Sequence, residues 1–192
     1  MEIVFATGNK HKAQEAEAIL RQANPGIQVL TYGGPEPIES GTTFLENALI
    51  KARAAFEATG KLSFADDSGI ACEVMGGAPG IFSAIWSGTR DDATNRNLLL
   101  KQLEDIPAEH RSAAFVCTIA MVGPDQELSF TGVWSGSIAM RVAGSGGFGY
   151  DPVFIPQGLD VTAAELDPEV KNSMSHRFMA LQQMAEYLAK RP

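Results

Sequence analysis

Two long β-rich segments joined by a short turn constrain the fold of this chain more than any other feature of its sequence. Residues 112–122 and 127–138 are rich in β-branched and aromatic residues, and Gly123-Pro124-Asp125 separates them. Segments of this length and spacing predict an antiparallel hairpin. Because helical patterns occur on both sides of the hairpin, we predict a mixed sheet flanked by helices rather than a purely parallel one.

The remaining segments predict an α/β chain in a single domain, residues 1–192. Apolar runs predict strands over residues 2–6, 26–31, 62–65, 70–75 and 153–155. Helical spacing predicts helices over residues 12–23, 43–59 and 92–103, and a last helix capped by Ser175. Thr43 and Glu46 are spaced for a capping box at the second helix. No internal repeat, low-complexity tract or linker divides the chain.

Charge and composition exclude several classes of protein. The net charge of −8 disfavours polymeric nucleic acid as a partner, because such binding needs a basic surface. Cys72 and Cys117 belong to no Cys/His cluster, which indicates buried reduced thiols rather than zinc ligands. No apolar run approaches the ~20 residues of a membrane span, and the start lacks a secretory-signal pattern. We therefore expect a cytoplasmic protein without a membrane partner.

The segment after the first strand, Thr7-Gly8-Asn9-Lys10-His11-Lys12, is a candidate phosphate-binding turn. Backbone amides at a helix start favour anions, and the lysines add positive charge. The alternative is an ordinary helix cap with solvated lysines. The spacing does not match a P-loop, so the segment alone leaves both interpretations open.

Carboxylates in two places form a candidate metal site. Glu39 lies in a predicted loop, and Asp66-Asp67-Ser68-Gly69 follows a predicted strand. Mg2+ takes one or two carboxylates and leaves its other positions to water and substrate phosphates. The alternative for Asp66–Gly69 is a plain turn, which this composition also favours. Lys51-Ala52-Arg53 interrupts an alanine-rich stretch of the intervening helix, and either basic residue could simply be solvated.

Two later segments are candidates for recognising a planar ligand. In Gly146-Gly147-Phe148-Gly149-Tyr150-Asp151-Pro152, Phe148 offers a stacking face and Asp151 an acceptor, unless the ring simply fills the core. Lys171-Asn172-Ser173-Met174-Ser175-His176-Arg177 is rich in donors that match the O6 and N7 acceptors of a 6-oxo purine. Cations at the start of the last helix would oppose its dipole, and a ligand would explain that placement better than a capped helix alone.

Together these motifs resemble the inosine/xanthosine triphosphate pyrophosphatase family, whose members clear deaminated purine nucleotides. The resemblance runs nearly end to end, and the motifs in this order are specific. They are Phe5-Ala6-Thr7-Gly8-Asn9 with Lys12, Glu39-Ser40-Gly41-Thr42-Thr43-Phe44, Glu46-Asn47-Ala48, Ala65-Asp66-Asp67-Ser68-Gly69, Gly76-Gly77-Ala78-Pro79-Gly80, Gly147-Phe148-Gly149-Tyr150-Asp151-Pro152 and Ser175-His176-Arg177.

The resemblance implies an elongated, two-lobed α/β fold with a curved mixed sheet and a central active cleft. It implies a homodimer and a Mg2+-dependent hydrolysis of ITP, dITP and XTP to the monophosphate and pyrophosphate. This reaction keeps non-standard purines out of DNA and RNA.

Site residues follow from the same resemblance. The implied phosphate ligands are Thr7, Gly8, Asn9, Lys10, His11, Lys12 and Lys51, and the implied metal ligands are Glu39 and Asp67. Asp67 is the implied base, with Asp66 beside it and Ser68 touching substrate; Lys51 assists catalysis. The implied base pocket comprises Phe148, Gly149, Tyr150, Asp151, Lys171, His176 and Arg177.

The resulting hypothesis is attack by water on the α-phosphorus, with Asp67, or Asp66 with it, taking the proton. Two alternatives are open: a related pyrophosphatase acting on modified pyrimidine or methylated nucleotides, and a non-catalytic nucleotide sensor. The complete carboxylate set argues against the sensor.

Overall fold

A computed structural model describes residues 1–190, apart from the side chains of Lys10 and His11. Within these residues the α-helices are α1 (Lys10–Ala23), α2 (Phe44–Thr59), α3 (Asp92–Gln102), α4 (Pro168–Met174) and α5 (His176–Ala189). The strands are β1 (Glu2–Phe5), β2 (Gln28–Thr31), β3 (Ser63–Cys72), β4 (Ser112–Gly123), β5 (Gln126–Ile138) and β6 (Phe154–Pro156). No described helix is both long and apolar enough to cross a lipid bilayer.

The strands form one mixed sheet in the order β2-β1-β3-β4-β5-β6. β1 pairs in parallel with β2 and β3, whereas β5 and β6 are antiparallel. β4 and β5 are neighbours joined by two residues, 124–125, a connection that only antiparallel strands can make. The predicted hairpin and the predicted mixed α/β fold are therefore confirmed.

The third strand differs from the prediction. We expected two strands, over residues 62–65 and 70–75, separated by the turn-prone Asp66-Asp67-Ser68-Gly69. The structure instead has one continuous strand, β3 (Ser63–Cys72), followed by a short 3-10 turn, Glu73–Met75. The two aspartates thus lie in the middle of a strand and not at its end.

The chain consists of two compact units. Unit 1 comprises Met1–Asp67, Cys117–Gly132 and Arg177–Pro192, and unit 2 comprises Ser68–Val116 and Val133–His176. The boundaries fall inside β3, β4 and β5, so each of these strands contributes residues to both units. The single-domain organisation stays a prediction.

In unit 1, the alternation of side chains along β3 sorts the packing of the helices. Phe64 is fully buried in a cluster with residues of α1 and α5 and stacks on Phe5 at 4.3 Å between ring centroids. Ala65 is buried in a separate cluster with Ala48 and Ala52 of α2. Successive residues of a strand point to opposite faces. Asp66 and Asp67 are therefore directed toward opposite faces of the sheet.

The starts of two helices differ in detail from the prediction. Thr43 caps α2 by accepting from the Glu46 amide, as predicted, but the Glu46 carboxylate accepts from the amide and hydroxyl of Thr42. The predicted capping box is therefore wrong in one bond: the Glu46 carboxylate binds Thr42 and not Thr43. The last helix is preceded by the separate short helix α4, which the sequence pattern did not predict.

Unit 2 packs around aromatic rings and one buried arginine. Phe115 and Trp134 both pack edge-on against Phe154, with centroid distances of 4.7 and 5.2 Å. Arg111 is 1% exposed, and its guanidinium donates to the carbonyls of residues 103, 104, 106 and 139. Four carbonyls of loops and strand ends thus gain a donor that water would otherwise have to supply.

Candidate active site

The predicted phosphate-binding turn lies between β1 and α1. The Thr7 hydroxyl accepts from the Asn9 amide at 3.1 Å, and the Asn9 side-chain oxygen accepts from the Lys12 amide at 3.2 Å. These two bonds close the start of α1 and leave Gly8 exposed. Thr7, Gly8 and Asn9 therefore have the conformation of a helix cap, while the predicted side-chain roles of Lys10 and His11 lie outside the described residues.

Asp66 is held by two cations of unit 1. Lys12 Nζ lies 3.2 Å from Asp66 Oδ2 and 3.4 Å from Oδ1, and Arg177 Nε donates to Oδ2 at 3.2 Å. Only 5% of the Asp66 side chain is exposed. Burial alone would raise the pKa of Asp66, but the charges of Lys12 and Arg177 outweigh it and hold the pKa well below its ordinary value. Asp66 is thus a permanently ionised anchor for these two side chains.

Asp67 belongs to a different group of residues, on the opposite face of β3. Lys51 Nζ of α2 lies 2.7 Å from Glu39 Oε1 and 3.5 Å from Asp67 Oδ1. Asp67 Oδ2 accepts from Asn47 Nδ2 at 3.2 Å. Burial raises the pKa of Asp67 above its ordinary value, with Glu39 adding to the effect and Lys51 opposing it. The pKa values of the two adjacent aspartates are therefore shifted in opposite directions.

Lys51 remains fully charged between the two carboxylates. Burial would lower its pKa, but Asp67 and Glu39 outweigh burial and raise it above its ordinary value. The Lys51 side chain is only 18% exposed and pairs with both Glu39 and Asp67. Lys51 is therefore not a solvated surface lysine. The structure thus brings together Glu39, Lys51 and Asp67 as predicted.

Asn47 is a residue of this group that sequence reasoning left without a role. It is 3% exposed, donates to Asp67, and accepts from the Gly41 amide through Oδ1 at 2.9 Å. Its amide therefore links the Glu39 loop to β3. The available signal was its spacing: Asn47 lies four residues before Lys51, which places both side chains on one face of α2.

The carboxylates of this group fit a divalent cation. Glu39 and Asp67 approach the same ammonium nitrogen of Lys51, so their oxygens converge on one point that a positive charge already occupies. No group of three or more His, Cys, Asp or Glu side chains in the described part of the chain is arranged to hold a metal. Two carboxylates, completed by water and phosphate oxygens, suit Mg2+ better than metals that need an all-protein ligand set.

In unit 2, the loop over residues 146–151 holds Phe148 away from the core. Phe148 is 61% exposed, so the interpretation of its ring as filling the core is wrong. Asp151 is buried, and its Oδ2 accepts from the Phe148 amide at 2.9 Å and from Lys171 Nζ at 2.6 Å. Lys171 Nζ also lies 4.9 Å from the centre of the Phe148 ring. Phe148, Asp151 and Lys171 thus form one cluster, which we call the Phe148 cluster.

Two other residues of the predicted base pocket, Tyr150 and His176, are buried in unit 2. The Tyr150 hydroxyl donates to the Ser83 carbonyl at 2.8 Å, so the phenol anchors the loop from inside unit 2. His176 is 8% exposed and stacks on Phe115 at 4.9 Å with an interplanar angle of 11°. Ser68, which the resemblance places in contact with the substrate but outside the base pocket, is partly buried within β3.

The helix-dipole argument for Lys171 is wrong. Lys171 lies in the last turn of α4, where a positive charge is favourable, and not at the start of the last helix. Arg177 does lie in the first turn of α5, but its Nε is directed to Asp66 and its Nη1 lies 3.9 Å from Glu15 Oε2. The charge of Arg177 is therefore balanced by carboxylates in unit 1.

The chain is similar over most of its length to proteins with a shared name. It is 56% identical over 180 residues to a dITP/XTP pyrophosphatase of Leifsonia xyli, covering 93% of this chain and 90% of that protein. It is 49% identical over 185 residues to a dITP/XTP pyrophosphatase of Mycobacterium tuberculosis, covering 93% and 91%.

Solved structures give the same picture for the fold. A HAM1 protein from Coxiella burnetii superposes with a TM-score of 0.93 at 40% identity and covers all of both chains. A dITP/XTP pyrophosphatase from Mycobacterium abscessus superposes with a TM-score of 0.81 at 45% identity and covers 96% of this chain and 98% of that one.

A family model described as the Ham1 family matches residues 3–187. Together with the identities over nine-tenths of the chain, this match establishes that the chain is a member of the Ham1 family.

Proposed function

We propose that this protein is a Mg2+-dependent nucleoside triphosphate pyrophosphohydrolase that converts ITP, dITP and XTP to the monophosphate and pyrophosphate. Relatives at 56% and 49% identity carry the name dITP/XTP pyrophosphatase, and the family match spans nearly the whole chain. The observation that carries the proposal is the meeting of Glu39 and Asp67 at Lys51 Nζ. Removal of deaminated purines before they enter DNA and RNA is the role this activity serves.

Glu39 and Asp67 are the residues that would hold Mg2+. Their convergence on one ammonium group supports this role, because the same oxygens attract any small cation. A bound Mg2+ supplies charge neutralisation for phosphate oxygens. Lys51 provides a second positive charge beside the carboxylates, and its raised pKa keeps that charge through the neutral range.

Phosphate binding is assigned to the start of α1 and to the lysines of unit 1. The caps formed by Thr7 and Asn9 fix the first turn of α1, where backbone amides point outward and favour anions. Lys12 adds a full charge that Asp66 orients. The roles of Lys10 and His11 in the same turn stay predictions.

The hydrolytic step is attack by water on the α-phosphorus, with cleavage of the bond to the bridging oxygen and departure of pyrophosphate. We assign the proton-accepting role to Asp67 on geometry. Asp66 has both oxygens engaged by Lys12 and one also by Arg177, whereas Asp67 has one amide donor and a longer contact to Lys51. Asp66 is therefore a positioning residue for Lys12 and Arg177.

Base recognition is assigned to the Phe148 cluster together with His176. The exposed ring of Phe148 offers a stacking face. The ammonium group of Lys171 is a donor suited to the O6 or N7 acceptors of a 6-oxo purine, and Asp151 fixes its position. Adenine presents a 6-amino group to such donors, and a mismatch of this type can cost ~10⁴-fold.

The test is pyrophosphate release from a panel of ITP, dITP, XTP, GTP, ATP, dUTP and dTTP, each with and without Mg2+. We expect kcat/KM for ITP and XTP to exceed that for ATP by at least about 100-fold, because the 6-amino group of adenine leaves the donors of the pocket unpaired. GTP carries the same 6-oxo group as ITP, so its rate tests whether the specificity extends to the 2-position of the base. Release of single phosphates, equal rates on GTP, or full activity after chelation of divalent metals would contradict the proposal.

A further inference from the structure

Two side chains on one face of α3 bind the backbone of the loop over residues 146–151, which we call the Phe148 loop. The Gly149 amide donates to Asp92 Oδ2 at 2.8 Å, and Arg96 Nη1 donates to the Gly149 carbonyl at 2.8 Å. Residues four apart in a helix lie on one face, so Asp92 and Arg96 present an acceptor and a donor side by side. We propose that this pair, the α3 clamp, fixes the loop that carries Phe148 and thereby sets the affinity for the base.

The clamp is separate from the capping of α3. Asp91 is the N-cap residue, and its Oδ1 accepts from the Thr94 amide at 2.7 Å. Because Asp91 satisfies this orphan amide, the neighbouring carboxylate of Asp92 is directed to Gly149 instead. Two adjacent aspartates at one helix start therefore have different tasks.

The clamp acts at a loop position that needs a special backbone conformation. Gly149 has a φ of 58°, in the left-handed region that favours glycine. In that conformation both its amide and its carbonyl reach α3. On either side, the Phe148 amide is bound by Asp151 and the Tyr150 hydroxyl by the Ser83 carbonyl. The backbone of Phe148 and Gly149 and the side chain of Tyr150 are thus fixed at successive points.

The ring of Phe148 gains no core packing from this arrangement. The residue is 61% exposed although the backbone that carries it is held from three directions. Arg96 also leaves its Nε buried without a hydrogen-bond partner among the described residues, which is a cost that stability alone does not explain. An exposed aromatic ring on a fixed backbone is preorganised to stack on a planar ligand, here the proposed purine base.

The consequence for catalysis follows from preorganisation. A loop that is already ordered loses less conformational freedom when the substrate binds. Loss of the clamp should therefore weaken substrate binding, raising KM, while the chemistry at Asp67 and hence kcat stay nearly unchanged. Asp92 and Arg96 are positioning residues in this view, and the inference rests on the proposed function.

The experiment compares Asp92→Ala and Arg96→Met with the conservative variants Asp92→Asn and Arg96→Lys. We expect the first two to raise KM for ITP about tenfold, equivalent to about 1.4 kcal/mol, with kcat within about twofold. Asp92→Asn should recover most of the affinity, because its amide oxygen can accept from Gly149. Asp91→Ala is the matched control, which should lower Tm through loss of the cap without raising KM.

A second measurement does not depend on catalysis. Amide hydrogen exchange of a peptide covering residues 148–151 should become at least about tenfold faster in Asp92→Ala and stay at the parental rate in Asp91→Ala. Unchanged exchange in Asp92→Ala, or a KM rise shared equally by Asp91→Ala, would overturn the inference. If the parent protein releases no pyrophosphate from any nucleotide, the proposed function fails, while the exchange rates still decide whether the clamp fixes the loop.

Discussion

At the scale of single residues, the pleat of β3 gives Asp66 and Asp67 separate partners. Asp66 contacts Lys12 and Arg177, which come from α1 and α5, and Asp67 contacts Asn47 and Lys51 of α2. As a result, the pKa of Asp66 is lowered and the pKa of Asp67 is raised, although the two residues are adjacent in the chain. Sequence alone could place both aspartates in the site but could not assign their roles, since the partners of Asp66 are 54 and 111 residues away.

The two asparagine variants at these positions should therefore fail in different ways. We expect Asp67→Asn to lower kcat for ITP by about 10²–10⁴-fold, the usual contribution of a general base, with little change in Tm. Asp66→Asn leaves Lys12 and Arg177 without their buried counter-charge and should destabilise the protein by about 3–5 kcal/mol. Thermal unfolding and steady-state kinetics on both variants check this, and activity of Asp67→Asn within about tenfold of the parent would refute the assignment.

At the scale of elements, regular patterns were predictable and long-range compensation was not. The hairpin β4–β5, the helices α2 and α3 and the mixed character of the sheet follow from apolar periodicity and turn residues. Asp66-Asp67-Ser68-Gly69 has strong turn chemistry, yet it continues β3. Ion pairs with Lys12, Arg177 and Lys51 offset the cost of placing carboxylates in a strand. These partners are distant in the sequence, so local turn propensity does not reveal them.

The same limit applies to the Phe148 loop. Its glycines correctly predicted a loop, but no local pattern indicated that α3 binds it. Asp92 could be read only as a favourable charge at a helix start. Its actual partner, Gly149, lies 57 residues further along the chain.

A glycine pair in this loop provides an element-scale prediction. Gly147 and Gly149 both have left-handed backbones, with φ of 69° and 58°. A Cβ at Gly147 would lie 2.1 Å from Asp151 Oδ2, whereas a Cβ at Gly149 would meet no atom within 4 Å. Gly149→Ala should thus incur only the backbone cost of about 1–2 kcal/mol.

Gly147→Ala should incur that cost and also displace Asp151 from the Phe148 amide and from Lys171. We therefore expect a larger fall in Tm than in Gly149→Ala, and a rise in KM for ITP of at least about tenfold, as is typical when a buried charged hydrogen bond is lost. Equal effects of the two substitutions on Tm and KM would show that contact with Asp151 is unimportant.

At the scale of the whole molecule, the two compact units share three strands, and each unit holds one buried thiol. Cys117 lies in unit 1 and Cys72 in unit 2, and both are fully buried, as predicted. Burial raises the pKa of Cys72 to about 12. Each thiol is therefore a reporter for the opening of its own unit.

We predict that both thiols are inert to a thiol reagent at pH 8 and become reactive together in denaturant. The physical reason is that a break in β3, β4 or β5 affects residues of both units at once. Single variants Cys72→Ala and Cys117→Ala allow each reporter to be followed alone during a urea titration. Coincident midpoints are expected for one cooperative domain, and clearly separated midpoints would show two domains.

The alternation of side chains in β3 also restricts how the length of this segment can vary. A one-residue deletion between β1 and Phe64 that is absorbed within β3 would change the parity of Phe64 and of every later position in the strand. The carboxylate bound by Lys12 and Arg177 and the carboxylate bound by Asn47 would then exchange faces, together with Phe64 and Ala65. A single substitution in β3 changes one side chain, whereas an odd change in residue number alters both the core and the candidate site residues in a single event.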